Sequence, residues 1–169
     1  GGDLVNTVPA DVRMESYVRA GNIEAMQKAN EKVNRAIQGA SYAIGTTVEI
    51  DDMAGYLPLQ QNEQMSDLFA QNAIDLLGKE SVFSGLPFAG STDAGDLSHI
   101  MPVIQPTVSG FRGAAHSREF CVEDEELAYI LPAKLMALTA VDLLRDGAKQ
   151  AISIRNQFPR KTKEQYIAL

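Results

Sequence analysis

The stretch from Gly90 to Phe120 constrains this chain more than any other. It opens with Gly90-Ser91-Thr92-Asp93-Ala94-Gly95-Asp96-Leu97-Ser98-His99, where small residues and carboxylates cluster. It closes with Gly113-Ala114-Ala115-His116-Ser117-Arg118-Glu119-Phe120, where a lone histidine sits in a Gly/Ala turn. Between the two ends, Met101 to Val108 is apolar, punctuated by Pro102 and Pro106, and reads as a buried strand. A strand with polar, glycine-rich ends is one way to carry a site on a rigid element.

The rest of the chain reads as two lobes divided near residues 52–60, with the first assigned to residues 1–55 and the second to 56–169. In the first, Thr7-Val8-Pro9 breaks a short extended piece, and Val12, Met14, Ser16 and Val18 alternate with Arg13, Glu15, Tyr17 and Arg19. That period of two predicts a strand with one buried and one polar face. Asn22 is a good helix N-cap and Gly45 a good C-cap. Between them Ile23, Met26, Val33, Ile37, Ala40 and Ile44 follow helical spacing, so one stripe of a helix is expected to face a sheet. Thr46, Val48 and Ile50 then alternate as another strand. Strand, helix, strand is half of a small α/β sandwich. The missing elements, and an opening Gly1-Gly2-Asp3-Leu4-Val5-Asn6, lead to the expectation that this is an internal portion of a longer protein.

In the second lobe, Asn62 caps an expected helix through Leu77 with Met65, Leu68, Phe69, Ala73, Leu76 and Leu77 on one face. Val82 to Phe88 is expected to be extended or loop. Ser91 or Thr92 opens a short helix that Pro102 stops near Met101. Asp124, Glu125 and Glu126 load the first turn of a long helix, with Leu127, Ile130, Leu131, Leu135, Leu138, Val141 and Leu144 as its apolar face. Pro132 should kink that helix and Gly147 end it. The tail from Lys149 to Leu169 gives no clear assignment.

Composition bounds the function. With 169 residues, 45% apolar and 22% charged, the chain is long enough for a real core. A net charge of -7 gives no basic face for nucleic acid. The single cysteine, Cys121, excludes an internal disulfide, reads as core, and fits a cytoplasmic protein. No unbroken apolar run of about 18 residues is present, so no membrane span is expected. No basic region followed by an apolar stretch opens the chain.

Gly-Ser-Thr-Asp-x-Gly-Asp-x-Ser at residues 90–98, followed by Gly-x-x-His-Ser-x-x-Phe at residues 113–120, resembles the C-terminal part of the metal-dependent aminoacylase and carboxypeptidase-type amidohydrolases, most closely the aminobenzoyl-glutamate utilisation type. Asn6-Thr7-Val8-Pro9 and Tyr17-Val18-Arg19 resemble the same family's lid domain, and the likeness runs through about Arg145. The resemblance implies a mixed α/β (α+β) chain: part of a lid and dimerisation domain, then the C-terminal part of an α/β metallohydrolase catalytic domain. It implies hydrolysis of N-acyl amino acids, dipeptides or aminobenzoyl-glutamate-like amides at a two-metal centre of Zn or Mn, in a homodimer formed through the lid.

Carried over residue by residue, the resemblance implies that His116 is a metal ligand, that Asn6 sits near the scissile carbonyl, and that Arg19 grips a substrate carboxylate. Guanidinium pairs bidentately with carboxylate, and an amide can stabilise an oxyanion. Ser91 and Thr92 would line the substrate pocket, although both also read simply as caps of the following helix. Asp96 reads either as a partner of a site residue or as surface. His99 is left out of the site. Read without the resemblance, Asn6 is a turn residue, Arg19 a solvated strand arginine and His116 an isolated turn histidine. The family's His-x-Asp ligand motif and its paired glutamates have no counterpart here, so the chain is expected to be inactive alone, to bind metal weakly, and to need an N-terminal half. The rival expectation is a non-catalytic dimerisation or ligand-binding module built on the same fold.

Overall fold

Asn22 begins the first helix by local chemistry. Its side-chain oxygen accepts from the Ala25 amide at 2.8 Å, and α1 (Ile23–Ile44) follows. Gly45 ends α1 in the left-handed region, φ 73°, where a residue without Cβ carries no penalty. The computed structural model describes residues 1–85 and 90–169, and these form two compact units, Gly1–Met53 and Ala54–Leu169. About half the residues are helical and two short strands form an antiparallel pair, a mixed α/β composition.

In the first unit α1 is the only regular element among the described residues. The alternating segments around Val12–Arg19 and Thr46–Ile50 form no ladder, which corrects the expectation of two strands. Alternation sets which side chains share a face, but a strand also needs a neighbour to bond, and within this unit none is supplied. Val12, Met14, Tyr17 and Val48 are accordingly exposed. The stripe on α1 does not meet a sheet either, since none of the helix is buried. The chain after α1 is tied back to it by polar contacts. Asn30 and Asn34 donate to the Asp52 carboxylate at 2.9 and 2.6 Å, and Ser41 Oγ donates to the Thr46 carbonyl at 2.7 Å.

The second unit has a core. The cap Asn62 accepts from the Met65 amide at 3.0 Å and starts α2 (Glu63–Leu77). Ala73 of α2 packs with Leu131 and Leu135, and Phe69, Leu77, Val82 and Leu127 close around them. Leu135 is buried almost completely, which contributes about 2–3 kcal/mol. Asn72 adds a polar tie across the same interface, donating to Asp142 at 2.8 Å. After α2 the expected extended stretch Val82–Phe88 runs into residues 86–89, which lie outside the described residues.

The helix opening near Thr92 is shorter than expected. It is α3 (Ala94–Leu97), capped by Asp93 and continued by turns to Met101. The strand expected at Met101–Val108 is absent. Pro102 and Pro106 have no N–H to donate, and among the described residues two bonds join this segment to the chain before α2: Asn62 N–H to the Val103 carbonyl, and Gln105 N–H to Gln61 Oε1, both 2.8 Å. The observed strands are β1 (Phe111–Arg112) and β2 (Cys121–Val122), paired Phe111 to Val122 and Arg112 to Cys121.

Asp124 caps the next helix, accepting from the Leu127 amide at 3.0 Å. Its first turn, Glu126–Ile130, is wound as a π-helix before α4 (Leu131–Gln157). Pro132 therefore falls in the first turn of α4, where a missing N–H is tolerated, rather than at a mid-helix kink. The break comes later. Arg145 to Ala148 leave helical geometry, with Asp146, Gly147 and Ala148 all at positive φ, so the first helical run of α4 ends around Gly147 as expected and a second run continues to Gln157. Within Glu126–Gln157 an 18-residue window has a mean hydropathy of 1.6, apolar enough to cross a membrane by length and composition even though charged residues interrupt the run. The core helix of a globular fold passes the same test, and Leu131, Leu135, Thr139 and Ile154 of this one are buried. The unassigned tail from Lys149 first completes α4 to Gln157 and then forms α5 (Lys163–Ile167), opened by a capping box between Thr162 and Gln165.

Candidate functional site

The two ends of the Gly90–Phe120 stretch have opposite environments. At the first end the polar groups are consumed by backbone. Asp96 Oδ1 accepts from the Leu57 amide at 3.0 Å, Ser98 Oγ accepts from the Gln60 amide at 3.0 Å, and the His99 ring bonds the Pro58 carbonyl at 3.0 Å. Ser98 and His99 are buried, and Ser98 Oγ also donates to the Gly95 carbonyl. Gly95 is required by proximity: a Cβ there would lie 2.0 Å from the Leu57 carbonyl oxygen. Asp96, Ser98 and His99 thus clamp residues 57–60, pairing backbone groups of a half-buried connector.

Thr92 and Ser91 sit ahead of that clamp. Ser91 is exposed and Thr92 half-buried. Thr92 Oγ1 donates to Asp93 at 3.2 Å and accepts a long 3.4 Å contact from the Ala94 amide, while Asp93 Oδ1 takes the same amide at 2.9 Å. Capping by Asp93 leaves the Thr92 hydroxyl at the surface end of α3.

At the second end β1 and β2 form the stem of a hairpin and residues 113–120 its connection. Phe111 and Phe120 stack at 5.2 Å between centroids, nearly parallel, which braces the stem. Cys121, expected in the core, is half-buried there and receives the Arg112 Nε–H at 3.0 Å. Gly113 has φ 80°, and a Cβ on it would lie 2.5 Å from the Glu119 carbonyl oxygen. His116 stands in this connection, exposed, at φ 67°. A left-handed conformation costs a residue with a Cβ about 1–2 kcal/mol. Ser117 Oγ, next to it, is shut off from solvent and has no hydrogen-bond partner among the described residues. In the sequence Ser117 stands out only as the neighbour of His116 in Gly-x-x-His-Ser-x-x-Phe.

Asn6 and Arg19 lie in the first unit. Asn6 is exposed in a turn closed by a long Thr7 N–H to Leu4 carbonyl contact of 3.4 Å. Arg19 is exposed, its guanidinium 5.1 Å from the centre of the Tyr17 ring. In the second unit no hydrogen bond joins His116 to Ser91 or Thr92 among the described residues. Nor do three or more His, Cys, Asp or Glu side chains come together among them in a way that could hold a metal ion. A two-metal centre needs several ligands of that kind, so His116 does not fit one without further ligands. Two open clefts, of about 350 and 420 Å³, run beside α2 and the end of α4 and include none of these residues.

Comparison with known proteins gives one consistent relationship. The chain is similar to Xaa-Arg dipeptidases. It is 25% identical to the mouse protein over 177 aligned positions, covering 99% of this chain and 40% of that protein. It is 25% identical to the human protein over 175 positions, covering 98% of this chain and 39% of that protein. The chain thus spans about two fifths of the length of the curated relatives it matches. No family model matches it, and no solved structure does. The likeness is distant. It supports the broad peptidase and amidohydrolase family and does not single out the aminobenzoyl-glutamate type.

Proposed function

We propose that this chain is the C-terminal part of a metal-dependent amidohydrolase that cleaves the amide bond of dipeptides, N-acyl amino acids or aminobenzoyl-glutamate-like compounds. The observation that carries the reading is the end-to-end likeness to the mouse and human Xaa-Arg dipeptidases, which takes in 98–99% of the chain. Their name makes dipeptides ending in arginine the first substrates to try. In this reading residues 1–55 belong to a lid and dimerisation domain and residues 56–169 to a catalytic domain. His116 supplies one ligand to a pair of Zn or Mn ions, and sequence outside these 169 residues supplies the others. Asn6, Arg19, Ser91 and Thr92 contact substrate, and the whole protein is a cytoplasmic homodimer. The exposed imidazole in a strained turn supports the role of His116, since strain of this kind collects at functional sites.

The test is a release assay on the full-length protein that carries this chain, with added Zn²⁺ or Mn²⁺ and a panel of Xaa-Arg dipeptides and N-acyl amino acids. Hydrolysis that His116→Ala abolishes is the expected result, with the 169-residue chain inactive by itself. No hydrolysis of any panel member, together with stable dimers, would favour a non-catalytic dimerisation module instead.

A further inference from the structure

We infer that the C-terminal segment, residues 158–169, is a strap that holds the 91–101 turn against residues 57–61, so that the Lys161 amide and Tyr166 are positioning groups for the Thr92 end of α3. The chain leaves α4 at Phe158, extended, and Pro159 prevents the helix from continuing. The Lys161 N–H then donates to the carbonyl of buried His99 at 3.0 Å. Thr162 caps α5, accepting from the Gln165 amide at 3.2 Å while Gln165 Oε1 accepts from the Thr162 amide at 2.9 Å. A helix this short is unstable by itself, so its persistence depends on what it docks against. Its Tyr166 is half-buried with the Asp96 carboxylate facing the phenol.

The strap meets two of the three residues that grip the chain before α2. Asp96 holds the Leu57 amide and faces Tyr166, while His99 holds the Pro58 carbonyl by its ring and the Lys161 amide by its backbone. Strap, turn and connector therefore form one three-layer unit with α3 in the middle. Thr92 and Asp93 begin α3 and move with it. Releasing the strap leaves the His99 carbonyl buried without its donor and removes the wall beside Asp96, so the middle layer loosens from both residues at once. Only the consequence for substrate rests on the proposed role of Thr92. The strap itself does not.

Hydrogen exchange on the intact 169-residue chain tests this without any substrate. Lys161→Pro removes the donating N–H, while Lys161→Ala removes the side chain and keeps it. The expected result is exchange about five- to tenfold faster in Lys161→Pro for peptides covering 57–62 and 93–101, with the α2 and α4 core peptides unchanged and Lys161→Ala like wild type. Tyr166→Phe, which keeps every backbone bond, should accelerate the same peptides by a smaller factor. It is the variant to read if Lys161→Pro fails to fold. Unchanged exchange at 93–101 in a folded Lys161→Pro chain would overturn the inference, as would acceleration by Lys161→Ala equal to that by Lys161→Pro. If the full-length protein proves to be a hydrolase, Tyr166→Phe should raise KM for substrates reached by Thr92 and leave the fall in kcat smaller. A failure there alone would count against the role of Thr92 and leave the strap standing.

Discussion

The chain has two histidines, and they teach opposite lessons. His99 is buried, its ring spent on the Pro58 carbonyl and its own carbonyl spent on Lys161. His116 is exposed on a hairpin connection, in a backbone conformation that disfavours any residue with a Cβ. Folding accounts for the first without remainder, since a buried polar group must find a partner. Folding does not account for the second, because a glycine at that φ would cost less. What the difference teaches is that chemistry is to be sought where a residue works against its local backbone, and stability where a polar side chain closes a backbone account.

The largest expected effect breaks the pair apart by activity. If the full-length protein is the proposed hydrolase, His116→Ala should reduce its amide hydrolysis by more than about 100-fold, through the loss of one metal ligand. The same variant should leave thermal unfolding essentially unmoved. His99→Ala should do the reverse, lowering stability by about 1–3 kcal/mol through the orphaned Pro58 carbonyl. Steady-state rates alongside calorimetry would separate the two, and parallel losses in both variants would dissolve the contrast.

Next in size is a change at the clamp itself. Gly95→Ala puts a methyl where the Leu57 carbonyl oxygen already stands and should destabilise the second unit by about 2–3 kcal/mol. Ala94→Gly, one position away and outside the clamp's close approach, should cost no more than about 1 kcal/mol. Denaturant midpoints for the two variants give the comparison, and equal shifts would mean that residues 57–60 do not press on α3.

Much of this was written locally in the sequence. Asn22, Gly45 and Asn62 announce their helix ends because capping needs only a side chain and the next few amides. The stripe Phe69, Ala73 and Leu77 announces the packed face of α2 for the same reason of spacing. The strands were misread at Val12–Arg19, Thr46–Ile50 and Met101–Val108, since alternation carries no information about the neighbour a ladder requires. Gly147 signalled the break at Arg145–Ala148, whereas the π-turn before Pro132 had no short-range signal. The capping box Thr162-Lys163-Glu164-Gln165 was present in the sequence and was obscured by the basic run around it. At the candidate site the Gly/Ala turn around His116 was legible and its left-handed φ was not. The use of Asp96 and His99 as a clamp could not be read, because their partners lie far away in the chain.

A smaller effect sharpens the contrast from the strained side. His116→Gly removes the Cβ that the left-handed backbone opposes, so it should stabilise the chain by up to about 1 kcal/mol, or cost nothing if the added freedom of the unfolded glycine cancels the gain. His116→Ala keeps the Cβ and should give no such gain. A stability rise in the glycine variant together with lost hydrolysis would mean that function holds His116 against its own backbone preference. A marked loss of stability in the glycine variant would mean instead that the imidazole closes a structural account as His99 does.

The smallest effect concerns Tyr166, which borders the clamp. Burial pushes its phenol above the ordinary tyrosine value, and the nearby Asp96 carboxylate pushes it further the same way. The neutral phenol is thus the form the fold prefers. For a group whose folded pKa is raised, the contribution to stability is fully present below the ordinary value near 10 and is lost as pH climbs through the raised folded value. Wild type and Tyr166→Phe should therefore differ most at neutral pH and converge in strong alkali, where the wild-type phenolate no longer suits its place. Asp96→Asn should bring the Tyr166 titration part of the way back, because burial, the larger cause, remains. The measurement is the ultraviolet phenolate titration of each variant, with the Tyr166 step obtained as the difference between wild type and Tyr166→Phe. A step in wild type at or below the ordinary tyrosine value would place the phenol in open water and remove Tyr166 from the edge of the clamp that His99 anchors.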